Sequence, residues 1–514
     1  MRIRTFKIRH LVFTLLLLVL CTAPKVFSQI PKQKGPASAA EIQRALNVVE
    51  SNLDSIKAHR TFIYAMGLSN PLLLEKYNMW LQRYPTNVNI PLAVGTVFHN
   101  AEMPQAKEYL LKAAEIDGNN GKIWAMLAAD AGMRGEGDIE IKYIKKAADV
   151  DSSNVDYAYG YLTSFENGDP NIYRDKVFDF VRRFSSDDRG AVALYWLAER
   201  ATNLDERIQY FEELRKLYHP SKYPRTASRL RGLVDAYLQI DPQRALTLIN
   251  EIYNDEDTNW KVRRQVAQSF IEIKQLEHAE KYSDAKIILD SVKLPKFNYL
   301  NDYTELKKAF IRDKVGDVKG AYDSLCVKFA KLPTDAIYQA IEMYGKKLGK
   351  NHTQVKNDIE AMRNSTATIA FPFELGLYTS DKKLSLNSLK GKVVLLTFWF
   401  PGCGPCKAEF PHFQEVVDSF KGDSLVYIGI NVFPSQDGYV LPFVKNNKYS
   451  FIPLRGTVAF AADHYGAPTQ PANFLIDRDG NVVYKDFQID NTNRRTLELM
   501  ITSLLKGNIS LRDN

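Results

Sequence analysis

The sequence predicts a two-part protein in which a long all-α region precedes a smaller α/β domain. Apolar residues recur at spacings of three and four from about 37 to 363, which is the period of an amphipathic helix. Beyond 365, short runs of strand composition alternate with helical segments. The length of 514 residues accommodates both parts, because a single domain commonly has about 100–200 residues.

The first 28 residues have the pattern of a signal peptide. Five basic residues and no acidic residue stand here, and the apolar run LVFTLLLLVLC is eleven residues long. A helix that spans a bilayer needs ~20 apolar residues, so this run is too short. Val26 and Ser28 have the spacing of a cleavage site before Gln29. Two alternatives stay open, namely an uncleaved membrane anchor and a lipoprotein signal that uses Cys21.

Composition and charge set limits on the function. The net charge is +8, but the signal segment supplies five of these charges, so the remainder gives no argument for nucleic acid. The hydrophobic fraction of 45% and the charged fraction of 25% are those of an ordinary globular protein. Four cysteines are too few for a disulfide scaffold. A close C-x-x-C pair in an exported protein therefore indicates a catalytic rather than a structural role.

The helical region contains one clear internal match. The segment YLLKAAEIDGNN at 109–120 realigns with YIKKAADVDSSN at 143–154, an offset of 34 residues. This offset is the period of tetratricopeptide repeats, and the region resembles such repeats over about 70–160 and more loosely beyond. The resemblance implies a solenoid surface for a protein partner or for the appended domain. The alternative is a generic helical bundle in which the match between the two segments arises by chance.

The helical region shows no catalytic constellation in its sequence. His59, His99 and His219 stand without a Cys, Asp or Glu at ligand spacing. Cys326 lies on a helical pattern, where a small buried apolar residue is expected. The chemistry is therefore expected in the C-terminal part.

The C-terminal part, residues 365–510, is predicted to be an α/β domain with a buried central sheet. The strand-like runs are KVVLLTF at 392–398, LVYIGINV at 425–432, ANFLI at 472–476 and NVVYKDF at 481–487. Helical patterns lie between them in CKAEFPHFQEVVDSF and VLPFVKNNKY.

Cys403 and Cys406 stand where the first of these strands runs into a helix. Cys403 is expected to be exposed at the helix N-terminus, where N–H groups and the helix dipole stabilise a thiolate. Cys406 lies one turn further on, within disulfide reach and more buried. Gly404 and Pro405 suit the tight turn between strand and helix. This arrangement suits thiol–disulfide exchange, in which one thiolate attacks a substrate disulfide and the second thiol resolves the mixed disulfide.

Three segments carry a resemblance to a known family, LSLNSLKGKVVLLTFW, CGPCKAEFP and YGAPTQPANFLIDRDGNVVY, in this order. The domain is similar to the thioredoxin superfamily, and most to the TlpA/ResA-like exported thiol–disulfide oxidoreductases. The resemblance implies a thioredoxin-like fold and an enzyme without a bound cofactor. It also implies that Cys403 is the nucleophile, that Cys406 is the resolving thiol, and that the two form a redox-active disulfide.

Further roles follow from the resemblance by position. Pro471 matches a proline that follows a cis peptide bond and faces the dithiol. Glu409 matches an acidic residue that tunes the thiol pKa or moves a proton, although a solvated surface glutamate is the alternative. Trp399 is expected near the active-site loop. The pair Gly404–Pro405 is that of reducing thioredoxins and favours a reductant.

Three positions depart from the pattern of the resembled family. Thr397 stands where many thioredoxins have a buried Asp, so proton transfer to Cys406 is expected to rely on Glu409 or water. Gly402 replaces the usual Trp before the first cysteine. Gln470 is more polar than the usual residue before Pro471, and for this reason the redox potential is left open.

Three other functions are weighed against the oxidoreductase. A structural zinc site needs four ligands, whereas the sequence offers one cysteine pair with His412 nearby and His464 remote. A peroxiredoxin needs a Thr three residues before its cysteine, and WFPGCGPC lacks it. The third alternative is an interaction protein, in which the helical region binds a partner and the redox domain regulates this binding.

The sequence therefore predicts an exported thiol–disulfide oxidoreductase that reduces substrate protein disulfides. Its expected partners are a membrane or periplasmic dithiol donor and a protein bound by the helical region. The expected location is the periplasm of a Gram-negative bacterium. No metal and no nucleic acid are expected.

Overall fold

The computed structural model describes residues 37–252, 257–296, 298–422 and 424–505. The predicted signal peptide, 1–28, and the last few residues of the predicted 365–510 domain lie outside these ranges. Within the described ranges, twenty α-helices precede the first strand and a mixed sheet follows. The predicted fold class, an all-α region followed by an α/β domain, is confirmed. None of the helices in these ranges combines the length and apolarity that crossing a membrane requires.

The helices of the first region are joined mostly by short turns, and most of them pack against their neighbours in sequence. They are α1 (Ala39–Ser51), α2 (Ile56–Met66), α3 (Pro71–Arg83), α4 (Asn89–Asn100), α5 (Ala106–Ile116), α6 (Gly121–Met133), α7 (Gly137–Val150), α8 (Val155–Thr163), α9 (Pro170–Arg183), α10 (Asp188–Glu199), α11 (Leu204–Leu217), α12 (Pro224–Arg229), α13 (Arg231–Ile240), α14 (Pro242–Ile252), α15 (Thr258–His278), α16 (Tyr282–Ser291), α17 (Asn301–Lys314), α18 (Val318–Lys331), α19 (Asp335–Lys347) and α20 (His352–Asn364).

Helices α5 and α7 end in the same way, 34 residues apart. Ala113 and Ala147 are fully buried, and their carbonyl groups accept hydrogen bonds from the capping residues Asp117 and Asp151. The two capping residues have nearly equal backbone angles, φ −127°, ψ 76° and φ −123°, ψ 80°. Small buried residues at these positions let neighbouring helices approach closely. The two segments that match in sequence thus end their helices with the same backbone geometry, and the tetratricopeptide-like repeat stays a prediction.

The C-terminal domain has a six-stranded sheet in the order β1-β8-β7-β4-β5-β6, and a hairpin of β2 and β3. Strands β4, β5 and β6 are parallel, and β7 is antiparallel to β4. The strands are β1 (Thr368–Ile369), β2 (Glu374–Gly376), β3 (Lys383–Ser385), β4 (Val393–Trp399), β5 (Leu425–Asn431), β6 (Ile452–Arg455), β7 (Ala472–Ile476) and β8 (Asn481–Lys485). The helices are α21 (Gly404–Ser419), α22 (Asp437–Asn446), α23 (Val458–Tyr465) and α24 (Arg494–Leu504).

Strand β4 is the buried centre of this sheet, and its side chains alternate between two apolar clusters. Leu395 and Trp399 face the cluster that includes residues of α21, α22 and α24. Leu396 and Phe398 face the opposite cluster, which includes β2–β3 neighbours and α23. Because side chains two apart share a face, Thr397 lies on the α21 side. The end of β4 therefore delivers the chain to α21 at a fixed, buried position.

The helical region contacts the C-terminal domain at several places. The hydroxyl of Tyr439 in α22 donates to Asp130 in α6 (2.7 Å), in a buried position. Asn491 donates to the carbonyl of Arg200 at the end of α10 (3.1 Å). Arg495 in α24 pairs with Asp335 in α19 (3.0 Å).

The last helix of the domain also shares a core with the helical region. Leu499 of α24 is buried in a cluster with residues of α17 to α20, which include Cys326. Arg363 near the end of α20 donates to the carbonyl of Ser503 (2.9 Å). The two regions are thus joined by apolar packing as well as by polar contacts.

Candidate active site

Cys403 caps the N-terminus of α21, directly after β4. Its backbone is extended (φ −76°, ψ 101°) and its Sγ accepts a hydrogen bond from the N–H of Cys406 at 3.2 Å. An N-cap acceptor satisfies an N–H group that the helix itself leaves unpaired. The same position exposes Sγ to the positive end of the helix dipole. The structure therefore places a sulfur where a thiolate is stabilised.

Cys403 and Cys406 form a disulfide, with their Cα atoms 5.3 Å apart. Cys406 is 1% exposed, as the sequence suggests, but Cys403 is also buried, at 3%. The expectation of an exposed Cys403 is therefore wrong for this disulfide form. The physical reason is that both sulfurs join the apolar cluster of Trp399 and Phe443. Gly402 before Cys403, and Gly404 and Pro405 between the two cysteines, are exposed.

The peptide bond between Gln470 and Pro471 is cis, as the resemblance implies. Both residues are half-buried and directly precede β7. The Gln470 side chain donates to the carbonyl of Ala467 (3.3 Å), within its own loop. The catalytic role of Pro471 and the influence of Gln470 on reactivity stay predictions.

Trp399 ends β4 and is fully buried. Its ring lies 5.1 Å from Phe410 of α21, 5.1 Å from Phe443 of α22 and 5.3 Å from Phe451. The pairs with Phe410 and Phe451 are edge-to-face, an arrangement that stabilises beyond the area it buries. Trp399 thus packs α21 and α22 against the end of the strand that leads to Cys403.

Glu409 is a buried carboxyl group on α21, one turn after Cys406. Its side chain is 7% exposed, so the alternative of a solvated surface glutamate is wrong. Its two oxygens accept hydrogen bonds from Asn473 (2.9 Å) and from the N–H of Ile489 (3.3 Å). Burial raises the pKa of Glu409 to about 7, although the two hydrogen bonds act against this rise. Near neutral pH this carboxyl group can therefore both accept and release a proton.

Thr397 belongs to the same polar group as Glu409. Asn473 lies directly opposite Thr397 in the pairing of β4 with β7. The Thr397 hydroxyl donates to Asn473 Oδ1 (2.9 Å), and Asn473 Nδ2 donates to Glu409 and to the carbonyl of Phe487. The three buried side chains thus form a chain of hydrogen bonds from the central strand to α21. Asn473 was not singled out by the sequence, and its pairing with Thr397 depends on strand register, which a single sequence does not reveal.

Gln436 is a second residue that the sequence analysis missed. It lies in a 3₁₀ turn, Pro434–Gln436, and is fully buried. Its Oε1 accepts from the N–H of Gly402 (2.7 Å), next to Cys403. Its Nε2 donates to Glu102 of the helical region (2.6 Å). The departure at Gly402 has a geometric basis, because a Cβ there would lie 2.9 Å from Gln436 Nε2.

The two histidines weighed as zinc ligands are held in different surroundings. His412 lies on α21, where burial and the nearby Arg494 lower its pKa. His464 stacks on Phe371, with ring centroids 3.7 Å apart. Over the described parts of the chain, no group of three or more His, Cys, Asp or Glu residues is arranged to hold a metal ion.

The central sheet, the C-x-x-C segment at the start of α21 and the cis-proline loop define a thioredoxin-like domain. Residues 367–485 match the model of the AhpC/TSA family. The expected recognition of this domain is confirmed.

Two named relatives are similar to about a fifth of the chain. The chain is 35% identical over 105 residues to the thiol-disulfide oxidoreductase ResA of Bacillus subtilis, which covers 20% of this chain and 58% of the relative. It is 32% identical over 95 residues to the sporulation thiol-disulfide oxidoreductase A of the same organism, covering 18% and 58%. The chain thus spans less than two thirds of the length of these relatives.

Two solved structures are similar to about a quarter of the chain. A thioredoxin-family thiol:disulfide interchange protein of Chlorobium tepidum is 25% identical, with 27% of this chain and 97% of that chain covered and a TM-score of 0.24. The thioredoxin domain of a thiol-disulfide oxidoreductase of Bacteroides vulgatus is 23% identical, with 26% and 96% covered and a TM-score of 0.24.

Proposed function

We propose that the protein is an exported thiol–disulfide oxidoreductase that reduces substrate protein disulfides through Cys403 and Cys406. The observation that carries this proposal is the disulfide at the N-terminus of α21, with Cys403 Sγ accepting the N–H of Cys406. Residues 367–485, which match the AhpC/TSA family model, contain this disulfide, and the relatives named above are similar to part of the chain.

The first step is attack by the Cys403 thiolate on a substrate disulfide. The N-cap position supplies the N–H of Cys406 and the helix dipole, both of which favour the charged sulfur. One substrate sulfur leaves as a thiolate and takes a proton, while Cys403 forms a mixed disulfide with the other. Pro471 lies in the loop that the resemblance places against the dithiol, where it would border the substrate chain.

The second step is resolution by Cys406. Its thiol loses a proton and attacks Cys403 Sγ, so that the protein disulfide forms again and the second substrate sulfur leaves. Glu409 is the side chain best suited to take this proton, because it lies one helical turn from Cys406 and has a pKa of about 7. The hydrogen bonds from Asn473 and Ile489 hold its carboxylate in place.

The dithiol needs no bound cofactor, but it must be recharged after each cycle. A membrane or periplasmic dithiol relay is the proposed electron donor. The direction toward reduction is supported by the Gly404–Pro405 pair, which resembles that of reducing thioredoxins. A peroxidase is less well supported, because Phe400 stands where a peroxiredoxin pattern needs Thr.

Export and partner binding are the remaining parts of the proposal. The sequence pattern of residues 1–28 supports export, with the periplasm of a Gram-negative bacterium as the proposed location. The sequence match between α5 and α7 at an offset of 34 residues supports a tetratricopeptide-like surface that recruits a protein partner.

The test uses the chain without its signal segment and a protein substrate such as insulin, with dithiothreitol as donor. The intact protein is expected to accelerate insulin reduction, and Cys403→Ser is expected to abolish this acceleration. Cys406→Ala, reduced first and then mixed with insulin after dithiothreitol is removed, is expected to accumulate a mixed disulfide that non-reducing electrophoresis detects. Cys326→Ala is the matched control, because this thiol is buried outside the site. Full reductase activity in Cys403→Ser would overturn the proposal.

A further inference from the structure

One turn of the helical region reaches the loop that carries Cys403. Glu102 lies between α4 and α5 and accepts from Gln436 Nε2 at 2.6 Å. Gln436 Oε1 accepts from the N–H of Gly402 at 2.7 Å. Gly402 is the residue that precedes Cys403. Two hydrogen bonds thus connect a carboxylate of the helical region with the backbone of the dithiol loop.

The chemistry of the two ends fixes the orientation of the Gln436 side chain. A backbone N–H can only donate and a carboxylate can only accept. The amide of Gln436 therefore satisfies both partners in one orientation alone, with its oxygen toward Gly402. Because Gln436 is fully buried, losing either partner would leave a buried polar atom unpaired. Glu102 consequently holds the amide in the orientation that binds Gly402.

The surroundings of this contact are closely packed. A Cβ on Gly402 would lie 2.9 Å from Gln436 Nε2, so the absence of a side chain permits the contact. A Cβ on Gly438, two residues after Gln436, would lie 2.8 Å from Pro104. Arg134 donates to the carbonyl of Pro104 (2.7 Å) and fixes the turn that carries Glu102.

Glu102 itself adopts φ 54°, in the left-handed region. A non-glycine residue is less stable there than in its preferred conformation, because its Cβ crowds the backbone. Glycine would relieve this strain, but it would remove the carboxylate. The strained backbone therefore coincides with the side chain that reaches Gln436.

We propose that Glu102 and Gln436 are positioning residues, through which the helical region holds the Cys403 loop and sets the redox equilibrium of the dithiol. This inference rests on the proposed function. The hydrogen bond to Gly402 keeps Cys403 Sγ at the N-cap, where the N–H of Cys406 stabilises the thiolate of the reduced form. Without the connection, this position is only partly populated, and the reduced form loses stabilisation relative to the disulfide.

The test measures the equilibrium with glutathione in the full chain without its signal segment. In this reaction the protein disulfide breaks, two glutathione thiols give two protons and two electrons to Cys403 and Cys406, and one glutathione disulfide forms. Glu102→Gly is expected to shift the equilibrium toward the protein disulfide by about tenfold, which is about 30 mV for a two-electron couple. Gly402→Ala is expected to shift it in the same direction.

Glu102→Gln is the conservative variant, because its amide oxygen can still accept from Gln436, and it is expected to retain the equilibrium of the intact protein. Glu280→Gly is the matched control. Glu280 is exposed, has φ 55° and ends a helix by the same backbone bond, so its replacement relieves the same strain far along the chain.

The sign of the shift separates positioning from a direct charge effect. Loss of a negative charge near a thiolate favours the thiolate, so a charge effect of Glu102 would shift the equilibrium toward the dithiol. A shift of that sign, or none beyond the Glu280→Gly control, would overturn the proposal. The double variant Glu102→Gly, Gln436→Leu is expected to shift the glutathione equilibrium by no more than the larger of the two single variants. The reason is that both changes break the same connection from Glu102 through Gln436 to Gly402. If the intact protein fails to exchange with glutathione, the proposed function itself fails.

Discussion

At the scale of single residues, Glu409 decides how the proposed exchange depends on pH. Burial raises its pKa to about 7, from an ordinary value of 4.5. As a base it must be charged, so we expect resolution by Cys406 to accelerate as the pH rises through about 7. We expect Glu409→Gln to lose this acceleration and to resolve about 10²-fold more slowly at pH 8. Stopped-flow measurement of mixed-disulfide decay checks this, and an unchanged pH profile would exclude Glu409 as the base.

The same pKa makes a prediction for stability. A carboxyl group whose pKa is higher in the folded state contributes stability below the unfolded value of 4.5, and this contribution is lost as the pH rises through about 7. We therefore expect Glu409→Gln to gain stability relative to the intact protein between pH 5 and pH 8. Urea unfolding at the two pH values measures this difference. If the free energy of unfolding of Glu409→Gln differed from that of the intact protein by the same amount at pH 5 and pH 8, the raised pKa of Glu409 would be contradicted.

Asn473 donates a hydrogen bond to Glu409, and this bond partly offsets the rise in the pKa of Glu409 that burial causes. We expect Asn473→Leu to raise the pH midpoint of resolution by about one unit, since a hydrogen bond to a charged carboxylate is lost. Asn47→Leu, at an exposed position on α1, is the matched control and is expected to leave the midpoint unchanged. A downward shift in Asn473→Leu would show that Asn473 does not favour the charged form.

At the scale of elements, β5 passes so close to Trp399 that a side chain at Gly429 would be overpacked. A Cβ on Gly429 would lie 2.6 Å from the Phe451 ring and 2.9 Å from Trp399 Nε1. We expect Gly429→Ala to lower the free energy of unfolding by about 1–3 kcal/mol through overpacking. Gly137→Ala, where a Cβ meets no atom within 4 Å, is the control in a denaturant titration. Equal stability of the two variants would contradict this packing.

The strands nearest the dithiol were predictable because their composition is unambiguous. ANFLI coincides with β7, and KVVLLTF lies within one residue of β4. Strand β6 and helix α23 are not predicted, because four- and eight-residue segments do not separate from loops by periodicity. Helix α24 is also not predicted, although its eleven residues carry an amphipathic pattern that could have indicated it. Cys403 and Cys406 are predictable from their C-x-x-C spacing together with the strand before them and the helix after them. Gln436 and Glu102, which are 334 residues apart, come together only through the packing of the two regions.

At the scale of the whole molecule, the shared contacts predict cooperative unfolding of the two regions. Leu499 lies in the core of the last helices, and Tyr439 donates to the buried Asp130. We expect one thermal transition, and we expect Tyr439→Phe to lower the free energy of unfolding by about 1–3 kcal/mol by leaving Asp130 without this donor. Calorimetry checks both statements, with Tyr64→Phe at a half-exposed position as control. Two separated transitions would show that the regions unfold independently.

Cys326 provides a built-in reporter of that shared core. It is 1% exposed, and burial raises its pKa to about 12, so iodoacetamide cannot alkylate it in the folded protein at an appreciable rate. In a chain that begins at Gln29 with Cys403 and Cys406 oxidised, Cys326 is the one remaining thiol. The rate of its alkylation therefore measures how often the junction between the helical region and α24 opens. No cysteine has to be introduced for this measurement.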